Sequence, residues 1–140
     1  MSELARWDEI KNYDCEIILL DRGPEDTICF SYSYPVFLDV EWSPETIIPQ
    51  LEKKYIKRRS DLIIYLDASV KALLNRINGD IRRRESLDFI INYSKIEKDY
   101  YNKLSYVSYL DTTDIQPSVV ALKCLDIIQE HLKHIHKIRY

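Results

Sequence analysis

Glycine is nearly missing from this chain: of 140 residues only Gly23 and Gly79 are glycine. Neither begins a GxxxxGK[ST] phosphate loop, and no GxGxxG dinucleotide fingerprint occurs, because both motifs need backbone amides that only closely spaced glycines can expose. There is no GxSxG, so a serine nucleophile elbow has no support. Cysteine is sparse and odd in number: Cys15, Cys29 and Cys124 stand far apart. They form no CxxC pair for zinc and no disulfide framework, and they suit a reducing, cytoplasmic setting. No apolar run approaches membrane-spanning length. Met1 is followed by Ser2-Glu3-Leu4-Ala5-Arg6, which gives no signal-peptide core. The net charge of -3 argues against general nucleic-acid or membrane-surface binding.

What is present is enough apolar sequence, 46% of residues, for one domain of 140 residues with a real core. Ser2 to Tyr13 reads as a short helix, with Leu4, Trp7 and Ile10 at helical spacing. Glu16 to Leu20 reads as a first strand buried on both faces. Pro24 favours a helix start, and Pro35 is expected to end or kink that helix. Ser43-Pro44-Glu45 resembles a cap, but Pro49 is expected to interrupt a helix there, leaving a firmer one over Gln50 to Arg59. Leu62-Ile63-Ile64-Tyr65-Leu66 is the clearest strand. Ser69 then caps a helix carrying Val70, Leu73, Leu74 and Ile77 on one face. A helix from about Leu87 to Leu104, a strand over Tyr106 to Leu110 and a last helix opened by Pro117 complete the order. Such alternation predicts an α/β fold with a parallel sheet.

Several short stretches carry groups suited to chemistry. Asp21-Arg22, in Asp21-Arg22-Gly23-Pro24-Glu25-Asp26-Thr27, follows the expected first strand. A carboxylate there can hold magnesium or accept a proton, and the neighbouring guanidinium can fork onto a phosphate. The same pair reads equally as a surface ion pair. Arg82-Arg83-Arg84, with Arg76 one turn before its helix ends, can close over a polyphosphate, or be a solvated charge run. Asp111-Thr112-Thr113 is a polar loop after the third strand, able to pack around a base or simply to turn. His131, His134 and His136 lack a further fixed ligand, so the residues favour a decorated helix end over a metal site.

Taken in order, the strand with Asp21-Arg22-Gly23-Pro24-Glu25-Asp26-Thr27, then Asp61-Leu62-Ile63-Ile64-Tyr65-Leu66-Asp67-Ala68-Ser69, then helix, arginine-rich segment, helix, strand, Asp111-Thr112-Thr113 and final helix resemble the later part of a P-loop kinase. The nearest group is the thymidylate kinase and deoxynucleoside kinase superfamily, and the resemblance runs from about Trp7 to Leu132. It implies a three-layer α/β/α fold with a parallel sheet, truncated at its N-terminus, without the strand, phosphate loop and helix that come first in that family. It implies in-line transfer of the γ-phosphoryl of magnesium-ATP to a nucleoside or nucleotide. Asp21 would be the base or magnesium-side carboxylate and Arg22 an acceptor contact. Arg82, Arg83 and Arg84 would fall in the lid, Arg76 in the helix before it, and Asp111, Thr112 and Thr113 in the loop around adenine.

Three expectations follow. The chain is a kinase completed by a phosphate loop, from a longer form or a partner chain. Alternatively it is a noncatalytic kinase-like module, or half of a split protein, that forms a homodimer or binds a partner through exposed sheet edges. A nucleic-acid binder using the arginine run fits poorly with the acidic balance.

Overall fold

The structure is a computed structural model that describes residues 8–10, 12–38, 41–55, 57, 59–78 and 87–138. It is a mixed α/β arrangement. The elements are α1 (Pro24–Leu38), α2 (Pro44–Tyr55), β1 (Ile63–Asp67), α3 (Val70–Asn78), α4 (Leu87–Tyr101), β2 (Val107–Asp111) and α5 (Pro117–Ile138). Residues 8–10 are also helical, and Asn12 and Tyr13 close that turn onto the carbonyls of Glu9 and Ile10. The remainder of the helix expected over Ser2 to Tyr13 lies outside the described residues. Contacts divide the chain into two compact units, Met1–Ser60 with Tyr93–Tyr100, and Asp61–Asn92 with Tyr101–Tyr140.

In the first unit, α1 begins where the sequence favours it. Pro24 supplies a helical φ and lacks an N–H that would have no partner there, and the Asp26 amide donates to the Gly23 carbonyl at 3.1 Å. Glu25 and Asp26 place negative charge against the first turn. Pro35 does not end the helix, which runs on to Leu38. A proline inside costs the bond to the carbonyl four residues back, here that of Ser31. The same stretch is rich in serine hydroxyls that bond the helix's own backbone. Ser31 Oγ donates to the Thr27 carbonyl at 2.7 Å, and Ser33 Oγ reaches those of Cys29 and Phe30 at 3.2 and 3.1 Å. Buried hydroxyls are thereby satisfied without a distant partner.

The helix α2 likewise starts earlier than the prolines suggested. The amides of Thr46 and Ile47 donate to the Ser43 carbonyl, and the Ser43 hydroxyl donates to Glu45 Oε2 at 2.6 Å. Pro49 sits inside, in the second turn. The carbonyl it leaves without a helical donor is that of Glu45, an exposed residue in the first turn. The helix ends at Tyr55, short of the expected Arg59. Ile28 of α1 packs with Ile48 and Tyr55 of α2, with Leu51 and Tyr100 beside them. This is the first unit's apolar centre.

The expected first strand is not formed. Glu16 to Leu20 has no strand hydrogen bonding, and Ile17, Ile18 and Leu19 are exposed, Leu19 by 73%. An apolar run becomes a strand only where a neighbour offers its backbone groups. Among the described residues the only ladder joins β1 to β2.

That ladder is the frame of the second unit. The strands are parallel, with Ile63 opposite Val107 and Asp67 opposite Asp111. A parallel pair needs a long connection, and α3 and α4 lie within it. On one face Tyr65 meets Tyr109 and Tyr101 at ring separations of 5.3 and 5.4 Å. On the other, Leu110 is buried while Leu66 is 54% exposed.

Candidate functional site

The polar groups with the most connected geometry lie at the carboxyl ends of β1 and β2. Asp67 and Asp111 end the two strands side by side. Beyond them the chain must turn in both places, and each turn is tied to the other. The Asp67 carbonyl accepts the Thr112 amide and the Thr112 hydroxyl, both at 2.8 Å. Thr112 is accordingly buried although polar. Asp67 Oδ1 accepts the Ala68 amide and Asp111 Oδ1 the Thr113 amide, each at 2.8 Å. The second is an Asx-type turn, in which the aspartate side chain stands in for backbone by bonding the amide two residues on.

The start of α3 joins the same knot. Ser69 caps the helix as its sequence predicts, its hydroxyl accepting the Ala72 amide at 3.2 Å. Its own amide donates to Thr113 Oγ1 at 2.9 Å. From the last turn of α3, Arg76 reaches back to the loop. Nη1 donates to Thr112 Oγ1 at 3.2 Å, and Nη2 donates to the Thr112 carbonyl and, at 3.4 Å, to that of Thr113. A guanidinium fork on adjacent carbonyls fixes a loop's backbone more firmly than neutral donors do. Thus Arg76, Asp111, Thr112 and Thr113, which the sequence singled out separately, stand together, with Asp67 and Ser69 as members the sequence had not assigned there. The α3 cap and the strand-end aspartates were readable. Their coupling across the sheet was not.

The first unit holds the other candidates. Asp21 is exposed and lies in a bend that follows no strand, so the strand-end placement expected for it does not hold. Arg22 has φ 65°, the left-handed region that non-glycine residues seldom enter. Its guanidinium lies 5.0 Å from the centre of the Phe30 ring, a cation–π distance. Phe30 in turn stacks on Tyr93 at 4.8 Å. Next to them Cys29 is completely buried. Burial pushes its thiol up to about 12, with Glu97 and Asp26 adding to the rise and a Tyr93 hydrogen bond opposing it. Tyr93 is also raised, first by burial and then by the charge of Glu97. A thiol so placed is protonated and unreactive.

Glu25, quoted in the sequence motif without a role, proves to be a buried anchor. Ser60 donates its amide to Oε1 at 2.9 Å and its hydroxyl to Oε2 at 3.0 Å. Gly23 leaves room for this bridge, since a Cβ there would stand 3.0 Å from Glu25 Oε2 and 3.3 Å from Ser60 Oγ. The space, and not an unusual backbone angle, explains the glycine.

Arg82, Arg83 and Arg84 lie outside the described residues, as does the His136 side chain. His131 and His134 line an open groove of about 380 Å³ with Leu62, Ser108, Ile127 and Glu130. His134 Nδ1 is 2.9 Å from the Glu130 carbonyl, and the Glu130 carboxylate pairs with Lys133 at 2.8 Å. Among the described residues no group of three His, Cys, Asp or Glu side chains is placed to hold a metal ion. No helix of the described residues is long and apolar enough to cross a membrane. Comparison with known proteins found no matching family model, no similar curated protein and no similar solved structure.

Proposed function

We propose that this chain is the base-side portion of a P-loop kinase-like phosphotransferase, with its phosphate loop supplied by residues other than these. In this reading the sheet is the remnant of a three-layer α/β/α fold, and the loop Asp111–Thr113 lies against the nucleobase of magnesium-ATP. Asp21 and Arg22 face a nucleoside or nucleotide acceptor, and Arg82, Arg83 and Arg84 approach the transferred phosphoryl. The supporting observation is the knot at the strand ends. A rigid loop at the carboxyl edge of parallel strands is where open α/β sheets receive ligands, and Arg76 holds that loop by the Thr112 and Thr113 carbonyls. Asp21 and Arg22 hold and orient by charge, and magnesium would supply neutralisation of the phosphate oxygens.

Calorimetric titration of the folded chain with magnesium-ATP tests this. Saturable binding, weakened about tenfold or more by Arg76→Ala and by Arg83→Ala, supports it. Absence of binding from a folded chain overturns it for these residues acting alone.

A second reading is favoured by a specific observation. Leu66 and Tyr109, on the two strands, are exposed by 54% and 44%, and each strand has one strand neighbour among the described residues. These features suit a noncatalytic module that associates through a sheet edge.

A further inference from the structure

The apolar segment that fails to become a strand has the same sequence template as the two that succeed. Ile17-Ile18-Leu19-Leu20-Asp21 matches Ile63-Ile64-Tyr65-Leu66-Asp67 of β1 in length, apolar content and closing aspartate, and Val107-Ser108-Tyr109-Leu110-Asp111 of β2 in length and closing aspartate. Yet Ile17 to Leu20 make no backbone hydrogen bond with any described residue, and Ile17, Ile18 and Leu19 are 46%, 41% and 73% exposed. We propose that this segment is a donor strand, and that two copies of the chain exchange it, each adding residues 17–21 to the β1 edge of the other.

Several observations select this occupant. The exposed run is β-branched and leucine-rich, without proline or glycine, the composition that pairs at an edge and not the composition of a solvated loop. The acceptor is the edge of β1, the strand whose Ile63-Ile64 and Leu66-Asp67 the donor repeats in Ile17-Ile18 and Leu20-Asp21, and whose one strand neighbour among the described residues is β2. Donation in both directions is closed by a two-fold axis, so it gives a dimer and no open fibre. Two five-residue additions, with three exposed apolar side chains on each donor, bury on the order of 1,000 Å², near the lower limit of a specific interface. Charge sets the conditions. The donor is flanked by Glu16 and Asp21 and the acceptor by Asp61 and Asp67, so carboxylates meet at both ends in either strand direction. Salt therefore strengthens the dimer by screening them.

The inference rests on the sheet-edge reading above, naming both the segment and the partner, and is independent of nucleotide binding. Sedimentation equilibrium over a range of concentrations, at low and high salt, tests it together with amide hydrogen exchange of residues 17–20. Expected are a monomer–dimer equilibrium shifted toward dimer by salt, and protection of these amides that rises with the dimer fraction. Ile18→Pro removes an amide that has no backbone partner among the described residues, and Leu19→Lys charges an exposed side chain. Each is expected to raise the dimer dissociation constant at least about tenfold while leaving the helical circular dichroism unchanged. A wild-type chain that stays monomeric at all concentrations overturns the proposal. So does protection of residues 17–20 that is independent of concentration, which means pairing within one chain. A dimer that survives both substitutions overturns the donor segment while leaving association through a sheet edge standing.

Discussion

The two units handle polar groups in opposite ways. The first unit takes them inside. Glu25, Ser31 and Ser33 are buried, each bonded to backbone or to Ser60, beside a Cys29 and a Tyr93 that ionise only with difficulty. The second unit gathers them at one edge, where Asp67, Ser69, Arg76, Asp111, Thr112 and Thr113 form a knot of which only Thr112 is buried. The lesson is that hydrogen bonds serve two ends here. In the first unit they make burial tolerable, since an unsatisfied buried group costs about 1–3 kcal/mol. In the second they set the shape of a surface loop.

The contrast is sharpest in alkali. Both Cys29 and Tyr93 have folded-state values raised above the ordinary ones, so the stability they contribute is complete at pH below about 9, the reference value for the thiol. It is lost as pH rises toward about 12, the folded value for Cys29. The slope for each group approaches about 1.4 kcal/mol per pH unit within that window. Denaturant titrations from pH 8 upward are expected to show the first unit weakening, with Cys29→Ala flattening part of the decline. Equal weakening of the amides of β1 and β2 would erase the distinction.

Truncation of the apolar centre comes next in size. Ile28→Ala removes a side chain packed on Ile48 and Tyr55 and is expected to cost about 2–4 kcal/mol. Native-state hydrogen exchange separates the units, because protection should fall throughout α1 and α2 and persist in β1 and β2.

Breaking the knot gives a smaller and more local effect. Arg76→Ala leaves the Thr112 carbonyl with its 3.3 Å bond from the Ile115 amide alone. The amides of Thr112 and Thr113 are expected to exchange about tenfold faster, as the guanidinium's bonds to the Thr112 hydroxyl and to the Thr112 and Thr113 carbonyls are lost. The midpoint of global unfolding should move little. Smallest of all is Arg22→Gly. Relief of the left-handed backbone and loss of the contact with Phe30 oppose each other at about 1 kcal/mol or less apiece. Thermal unfolding should therefore change by no more than a degree or two, and a large drop would show that the Phe30 contact dominates.

What the sequence disclosed follows the same division. In the second unit each element carries its own signal: the run Leu62 to Leu66, the cap at Ser69, and Pro117 at the head of the last helix. Local rules sufficed because the decisive partners are near in sequence or are backbone. In the first unit the outcome turned on partners no local rule supplies. Ile17 to Leu20 has strand composition and no strand beside it. Pro35 and Pro49 both lie within helices, although a local rule reads each as an end or a kink. Of the candidate residues, Arg76 and Asp111 to Thr113 stand together, Asp21 and Arg22 belong to the other unit, and the arginine run lies outside the described residues. Glu25 was in plain view as an acidic first-turn residue, but only the fold brings Ser60, 35 residues away, to its carboxylate.

The knot also bears on the order in which the chain assembles. The Ser69 amide waits for a hydroxyl 44 residues downstream, and the Asp67 carbonyl for one 45 residues downstream. As the polypeptide leaves the ribosome, β1 and α3 emerge long before β2, and neither the parallel ladder nor the junction at its end can close until Thr113 has followed. Loop closure over that span is entropically costly, and such non-local pairing slows folding. The helices α1 and α2, neighbours along the chain, can collapse while the sheet is still open. Synthesis thus holds Ile63 to Leu66 without their partner strand for an interval, during which a chaperone that shields apolar segments would find its target there.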